Sequence, residues 1–284
     1  MSFKKGSLYI VATPIGNMGD MTERAQKILN EVDCIAVEDT RRSGQLLRNF
    51  EISTPMIAVH EHNERQICGS LLDRIEKGES IALISDAGTP LLSDPGYFLV
   101  NQARERDINV VPVPGVSALI TALSVAGLPT DRFVFEGFLP AKSSARQQRL
   151  EKLKDDGRTL IFYEAPHRII EMLKDCQQVF GGLRKVVLAR ELTKTFETVH
   201  GDALDALIPW VEGDENQRKG EFVVLVQGAE SRENTEVDAE SERILLILLK
   251  DLPVKQAAAL AASITGLKKN ALYQFAVDLK GKKG

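Results

Sequence analysis

The sequence predicts an α/β fold of two domains followed by a small helical appendage. Three observations carry that prediction. Short, continuous apolar runs alternate with amphipathic stretches as far as Val226, the pattern of strands buried on both faces and covered by helices. A Gly-Leu-Pro-Thr break at residues 127–130 interrupts the alternation near its middle. An acidic stretch at 228–241, nearly free of large apolar residues, separates the last strand from a terminal helical piece. The expected organisation is a mostly parallel α/β domain at 1–128 and a mixed-sheet α/β domain at 129–229, then a linker at 230–241 and a helix-turn-helix-like appendage at 242–284. A chain of 284 residues is long enough for two cores.

The elements follow in order. Leu8 to Ala12 reads as a buried strand, and Glu23 to Val32 as a helix with Ala25, Ile28, Leu29 and Val32 on one face. Strands are expected at Cys34–Val37 and Met56–Val59, then a helix from Arg65 to Lys77 with Ile67, Leu71, Leu72 and Ile75 inward. Ser80–Ile84 and Asn109–Val113 are strands, and Tyr97–Arg106 and Val116–Ala126 are helices. In the second half, strands are expected at Phe133–Phe135, Thr159–Tyr163, Lys185–Ala189, Glu197–Val199 and Glu221–Val226. Helices are expected at Ser143–Asp155, His167–Val179 and Ala203–Val211. Connections there are short, so mixed pairing is expected. The appendage reads as helices at Glu242–Lys250, Val254–Thr265 and Asn270–Leu279, punctuated by Pro253 and Gly266 and ending in a lysine-rich tail.

Bulk properties exclude several classes. The net charge of −4 argues against a general polyanion binder, so any nucleic-acid contact needs local basic patches. Cys34, Cys68 and Cys176 are scattered and form no Cys-x-x-Cys pair, the usage of free buried thiols in a reducing compartment. The most apolar tract, Ile244–Leu249, is far short of the ~20 residues of a membrane span. The Leu8–Ala12 run is too short for a signal peptide, and a cytoplasmic protein is expected.

In open α/β sheets, ligands bind beyond the carboxyl ends of the strands. Five successive strand ends in the first half carry polar, Gly or Pro residues. They are Thr13-Pro14-Ile15-Gly16-Asn17, Glu38-Asp39-Thr40-Arg41-Arg42, His60-Glu61-His62-Asn63-Glu64, Ser85-Asp86-Ala87-Gly88-Thr89-Pro90 with Ser93-Asp94-Pro95-Gly96, and Pro114-Gly115-Val116-Ser117-Ala118. Together they predict a ligand rim. Gly88 and Gly115 let backbone amides approach a ligand, and Gly115 is expected at a helix start, where free N–H groups hold anions. Asp86 suits hydrogen bonds from a ribose or an amine; for Asp86 and Ser117, turn formation or helix capping is the competing reading. No Gly-x-Gly-x-x-Gly and no Gly-x-x-x-x-Gly-Lys-Ser/Thr is present, which argues against dinucleotides and triphosphates. His60 and His62 lack an obvious third ligand, so they read as polar rim or substrate contacts, and no metal is expected. Glu38, Asp39, Arg41 and Arg42 are either a solvated helix start or a set whose arginines meet phosphate. Tyr163-Glu164-Ala165-Pro166-His167-Arg168 and Ala189-Arg190-Glu191 lie at strand ends of the second half. They either add Glu164, His167 and Arg190 to a cleft between the domains or form a salt-bridge set within one.

These blocks resemble the ribosomal RNA small subunit methyltransferase I family, a branch of the tetrapyrrole methylase superfamily. The resemblance covers nearly the whole chain and rests on Val11–Asn17, Glu38–Arg41, Ser85–Pro90 with Asp94-Pro95-Gly96, Pro114–Ala118, Phe162–Arg168 and Phe222–Leu225. It implies a two-domain tetrapyrrole-methylase-like (class III methyltransferase) fold and a homodimer. It further implies transfer of a methyl group from S-adenosylmethionine to the ribose 2′-hydroxyl of a cytidine in 16S rRNA within the small ribosomal subunit. Relatives that methylate tetrapyrroles carry Gly-Pro-Gly and Gly-Asp-Pro where this chain has Thr-Pro-Ile-Gly and Ser-Asp-Ala-Gly-Thr-Pro, which counts against a porphyrin-type substrate. A precorrin- or uroporphyrinogen-type C-methyltransferase and a non-catalytic RNA-binding assembly factor remain the alternatives. On this resemblance, Pro14, Asp86, Gly88, Thr89, Leu91, Ser117, Ala118, Tyr163 and Ala165 are the expected cofactor contacts. Glu38, Asp39, His62 and Glu164 are the candidates for a base that takes the hydroxyl proton. Arg41, Arg42, Arg168 and Arg190, with Lys268 and Lys269 of the appendage, are the expected RNA contacts, guanidinium groups being suited to phosphate. For the lysine-rich appendage, a solvated terminal face is the competing reading.

Overall fold

The computed structural model describes residues 4–60, 62–230, 237 and 239–281. Residues as far as Gly228 form one compact unit and those from Ala229 form a second.

The first sheet of the larger unit contains β1 (Ser7–Val11), β2 (Cys34–Val37), β3 (Met56–Ala58), β4 (Ile81–Leu83) and β5 (Asn109–Val113). Its order is β3-β2-β4-β1-β5, and every pair is parallel. The continuous apolar runs are explained by this arrangement, because both faces are covered. Tyr9, Val11, Ile35 and Val37 pack with Ala25 and Leu29 of α1 (Glu23–Glu31) and Leu47 of α2 (Thr40–Asn49). Leu8, Cys34, Ala36 and Ile81 pack with Leu71 and Leu72 of α3 (Glu64–Glu76) and with Leu99 and Ala103 of α4 (Tyr97–Glu105). Strands β4, β1 and β5 are neighbours, so the loops after their carboxyl ends emerge side by side.

The second sheet contains β6 (Phe133–Phe138), β7 (Thr159–Glu164), β8 (Lys185–Arg190), β9 (Thr198–Ala203) and β10 (Phe222–Val226), in the order β6-β7-β10-β8-β9. Only β6 and β7 run parallel; the other pairs are antiparallel. Alternate residues divide cleanly between two cores, as the pleat requires. Leu160, Phe162, Val186, Leu188, Val224 and Val226 face Leu150 of α6 (Ser143–Glu151), Met172 of α7 (Ile169–Phe180) and Leu207 of α8 (Leu204–Gly213). Ile161, Val187, Ala189, Val223 and Leu225 face the other way, onto Leu119, Ala122 and Leu123 of α5 (Ala118–Val125) and onto Ile15. The helix that ends the first half of the chain therefore packs on the second sheet.

Several boundaries differ from expectation for physical reasons. Helix α5 begins at Ala118 rather than Val116, because Ser117 is still extended (φ −135°, ψ 123°). Gly115 is thus not at a helix start. Its role is steric: a Cβ there would stand 2.9 Å from the Ala12 Cβ. Strand β9 runs on to Ala203, although residues such as His200, Gly201 and Asp202 give it little apolar character; it is an edge strand.

In the smaller unit, α9 (Ala239–Leu248), α10 (Val254–Thr265) and α11 (Lys269–Gly281) enclose Leu245, Ala257, Ala258, Ala261, Leu272 and Ala276. Helix α10 stops at Gly266, which takes the left-handed conformation of a C-cap (φ 73°). Helix α9 starts three residues earlier than expected, so 239–241 belong to it. The rest of the expected linker, and the last residues of the lysine-rich tail, lie largely outside the described residues.

One polar group is buried beneath the second sheet. Arg146, 1% exposed, places Nε 2.5 Å from Asp175 Oδ2. Burial alone would raise the Asp175 pKa, but hydrogen bonds from Gln147, Arg146 and Ser143 outweigh it and hold the carboxyl below its usual range. Removing the cation leaves a carboxylate with too few partners, a change that costs about 3–5 kcal/mol in buried pairs. Arg146→Ala is therefore expected to lower the unfolding free energy of the larger unit by that order, read as a lower urea midpoint. An unchanged midpoint would mean that the pair contributes nothing.

Candidate active site

A cavity of about 480 Å³ opens where the adjoining ends of β4, β1 and β5 meet the carboxyl end of β7. That volume suits a ligand of nucleoside size. Asp86, Ala87, Gly88, Thr89, Leu92, Ser93 and Asp94 line it from the loop after β4, and Ser117 and Ala118 from the start of α5. Tyr163, Glu164 and Ala165 come from the end of β7, Glu38 and Arg42 from the segment after β2, and Ile15 and Leu192 close the apolar side.

The loops are held by short-range ties. Thr13 and Gly88 exchange backbone hydrogen bonds of 2.9 and 3.0 Å, and the Thr13 hydroxyl donates to the Ser85 carbonyl at 3.2 Å. Gly88 takes φ +82°, and a Cβ there would press on Ile15. Leu91 (φ +72°) and Ser93 (φ +70°) are left-handed without being glycine, a conformation that costs of order 1 kcal/mol or more and concentrates at functional sites. Across the cavity, the Leu119 N–H donates to the Tyr163 hydroxyl at 3.2 Å, fixing the start of α5 to β7. Asp86 accepts from the Asp39 N–H at 3.3 Å and pairs with Arg42 at 3.3 Å.

Burial shapes the ionisation of the lining. It raises the Tyr163 hydroxyl, the Asp94 carboxyl and the Glu164 carboxyl. For Glu164, the Ala165 N–H and the guanidinium of Arg168 pull the other way without reversing the shift. Its side chain is fully buried, with Oε1 accepting from the Ala165 N–H at 2.8 Å and lying 3.2 Å from Arg168 Nε. Oε2 is buried with no hydrogen-bond partner.

Ten of the residues singled out in the sequence meet at this cavity: Glu38, Arg42, Asp86, Gly88, Thr89, Ser117, Ala118, Tyr163, Glu164 and Ala165. Others lie elsewhere. Pro14 and Leu91 yield the lining to their neighbours Ile15 and Leu92, and Leu91 packs on the first core instead. Asp39 caps α2 and pairs with Arg41, whose hydrogen bonds hold the carboxyl below its usual range, which makes it a weak proton acceptor. His62 is exposed, its ring beside His60. Arg41 is exposed outside the cavity. His167 lines a separate shallow depression with Arg218 and Lys219.

Arg168 and Arg190 are used inside the protein. Besides Glu164, Arg168 donates to the Leu139 carbonyl at 2.7 Å. Arg190 donates to the carbonyls of Lys219 and Phe196 and to the Thr198 hydroxyl, and only 8% of it is exposed. Both act as structural clasps, their guanidinium groups spent on internal carbonyls, a hydroxyl and a carboxylate rather than left for the expected RNA contacts. Lys268 and Lys269 are exposed at the start of α11. Among the described residues, no group of three or more His, Cys, Asp or Glu side chains gathers as a metal site. No helix among them is long and apolar enough to cross a membrane.

The sequence reading placed Ile15, Ser93 and Asp94 in rim loops without naming them as contacts, and it missed Leu92 and Leu192. For Asp94 the signal was present: Asp-Pro-Gly after a strand-end loop marks a tight turn whose first residue points back towards the rim.

The Tetrapyrrole (Corrin/Porphyrin) Methylases family model matches residues 7–208, and the RsmI C-terminal HTH domain model matches residues 235–280. A Pseudomonas aeruginosa protein named Ribosomal RNA small subunit methyltransferase I is 57% identical over 278 residues, 98% of this chain and 99% of its own. The chain belongs to the ribosomal RNA small subunit methyltransferase I family. In fold it is similar to diphthine synthase (TM-score 0.59, 13% identity, 78% of this chain and 89% of the other). It is similar likewise to the Thermus thermophilus uroporphyrin-III C-methyl transferase complexed with S-adenyl homocysteine (TM-score 0.52, 17% identity, 77% and 96%).

A methyltransferase of this family uses S-adenosylmethionine. The cavity residues fit that cofactor. Ile15, Leu92, Ala118 and Leu192 offer apolar surface for an adenine. Ser117 Oγ lies beside the Tyr163 hydroxyl and adds a polar group to the lining. Carboxylates outnumber the single lining cation, Arg42, which suits a positively charged ligand. Ser117→Trp fills this space. It is expected to weaken S-adenosylmethionine binding at least about tenfold by calorimetry (1.4 kcal/mol). Unchanged affinity in the folded variant would move the cofactor seat elsewhere.

Proposed function

We propose that this chain methylates the ribose 2′-hydroxyl of a cytidine in 16S rRNA of the small ribosomal subunit, acting in the cytoplasm as a homodimer. Support comes from full-length similarity to a protein named for that class of substrate and from the match of the appendage to the HTH domain model. The observation that carries the chemistry is the cavity itself, a space of nucleoside size lined by the carboxyl-bearing residues Glu38, Asp86, Asp94 and Glu164.

Bound S-adenosylmethionine supplies a methyl group whose bond to sulfur breaks, leaving its electron pair on sulfur, as the bond to the ribose oxygen forms. The protein must hold that hydroxyl in line and accept its proton. Glu164, a lining residue at the end of β7 whose pKa is raised by burial, is the acceptor in this reading. Glu38 lines the same cavity and is the second candidate. Arg42, at the cavity, and Arg41, beside it in sequence, have largely exposed guanidinium groups (77% and 91%) and are placed to meet flanking phosphates. Lys268 and Lys269 contribute cationic charge from the helical unit.

The decisive experiment offers radiolabelled S-adenosylmethionine with free rRNA, with small subunits from a strain lacking this protein, and with a tetrapyrrole. Label is expected in the small-subunit RNA at a ribose oxygen. Label in the tetrapyrrole would establish the C-methyltransferase alternative, and cofactor binding without transfer would establish an assembly factor. A chain ending near Glu240 is expected to methylate subunits poorly while binding cofactor normally; equal activity would remove the helical unit from substrate binding.

Glu164→Gln is expected to lower the methylation rate by about 10²–10⁴-fold, the usual worth of a positioned base. The sign of the pH dependence follows from burial. Because the Glu164 pKa is raised, its proton-accepting form is lost as pH falls through a value above the usual carboxylate range. The wild-type rate should fall there, and the Gln variant should lack that limb. A variant with wild-type rate and profile would exclude Glu164 as the base.

A further inference from the structure

We infer that Asp94 is the cavity's charge-selective contact: its carboxylate meets the cationic sulfur of the methyl donor and so favours the donor over its uncharged thioether product. The inference rests on the reading of this cavity as the cofactor seat.

The first support is a comparison with three other lining carboxylates. Asp86 holds Arg42 at 3.3 Å, Glu164 holds Arg168 at 3.2 Å, and Glu221 holds Lys194 at 2.8 Å. Asp94 lines the same cavity, yet among the described residues no cation stands within ion-pair distance of it. Its surroundings are the Ser85 hydroxyl, the like charge of Asp86 and the Tyr163 ring hydroxyl, which feels the Asp94 charge across the cavity. A partly buried carboxylate beside a like charge is unfavourable unless a cation completes it.

The second support is the backbone. Asp94 follows two left-handed non-glycine residues, Leu91 and Ser93, and precedes Pro95 and Gly96. Gly96 takes φ +123°, and a Cβ there would stand 2.5 Å from Leu83 Cδ2. Ser93 Oγ in turn reaches the second sheet, 2.9 Å from where a Cβ on Gly137 would be. The segment from Leu91 to Gly96 is thus strained at its start, clamped at its end and lodged against both halves of the larger unit. The result is to hold a carboxylate at the cavity wall, and backbone strain of this kind concentrates at ligand sites.

The ligand chemistry closes the argument. Donor and product share the adenosine, the carboxylate and the ammonium; they differ in one methyl group and in the positive charge on sulfur. A fixed carboxylate near that atom separates them by charge, and it loses its attraction once the methyl has left. Contacts to the shared groups cannot make this distinction.

The test is calorimetry on the full chain with three ligands: S-adenosylmethionine, S-adenosylhomocysteine and sinefungin, whose amine-bearing carbon restores a cation at the sulfur position. For Asp94→Asn, which keeps size and the Ser85 contact, S-adenosylmethionine and sinefungin affinities are expected to fall about tenfold, the order of one charge pair in a protein environment. S-adenosylhomocysteine affinity should change less than about twofold, which also reports a folded cavity. An equal loss for all three would place the carboxylate on the shared ammonium and overturn the inference, as would no change in any. A second measurement needs no loss of Asp94. In Glu164→Gln, which removes the other carboxyl raised by burial, the ratio of S-adenosylmethionine to S-adenosylhomocysteine affinity should decline as Asp94 is protonated on acidification; a constant ratio overturns the inference. Asp86 and Tyr163 also face Asp94; Asp94→Asn on the same background is expected to flatten the ratio, and a slope that persists without Asp94 overturns the inference. Should the wild-type chain bind none of the three ligands, it is the cofactor reading that fails.

Discussion

The packing of α5 against the inner face of the second sheet is the constraint on which the site depends. Leu119, Ala122 and Leu123 meet Ile161, Val187, Ala189, Val223 and Leu225, residues that share one face of three adjacent strands. Each leucine, isoleucine or valine among them contributes on the order of 2 kcal/mol when buried, so this contact sets the spacing of the two halves. The cavity is the polar end of that contact. Its two walls are the extended residues that lead into α5 and the carboxyl end of β7, and the Leu119–Tyr163 hydrogen bond joins them. A helix counted with the first half by sequence is, by contact, the floor of the second.

Charge is sorted by depth. Buried and half-buried arginines serve structure: Arg146 with Asp175, Arg168 with Glu164 and the Leu139 carbonyl, Arg190 with three oxygens. The carboxylates face the cavity, and Arg41 and Arg42 face solvent near it. Such a layout attracts a cationic ligand inward and leaves exposed cations to a polyanion outside, without requiring a basic chain overall. The net charge of −4 and a nucleic-acid substrate are then compatible.

The strands were legible because parallel and central strands are apolar on both faces, and Leu8–Val11, Cys34–Val37 and Phe222–Val226 leave no other reading. The rim was legible for the same reason, since polar loops stand out against such strands. What the sequence hid was set by tertiary partners. An arginine in a sequence is only a charge; that Arg168 and Arg190 turn inward depends on Glu164, Leu139, Lys219 and Phe196, residues from other loops. The polar second half of β9 hid its extent beyond the expected Glu197–Val199, and α2 showed in the sequence only as a helix start at Asp39. Leu92, Ser93 and Asp94 reach the cavity through two left-handed residues that no propensity favours.

Strand β10 is the last strand of the larger unit in sequence, yet it lies at the centre of the second sheet, between β7 and β8. During synthesis the sheet therefore waits. Until Val226 is available, β7 and β8 lack the strand that joins them, and their edges stay open to wrong pairing. The wall that carries Glu164 is completed by β10 as well, since Phe222 pairs with Glu164 in register and with Arg190 on its other side. A nascent chain thus has its first rim before it has its second, and the catalytic pocket closes only when nearly four-fifths of the polypeptide, 226 of 284 residues, has been made.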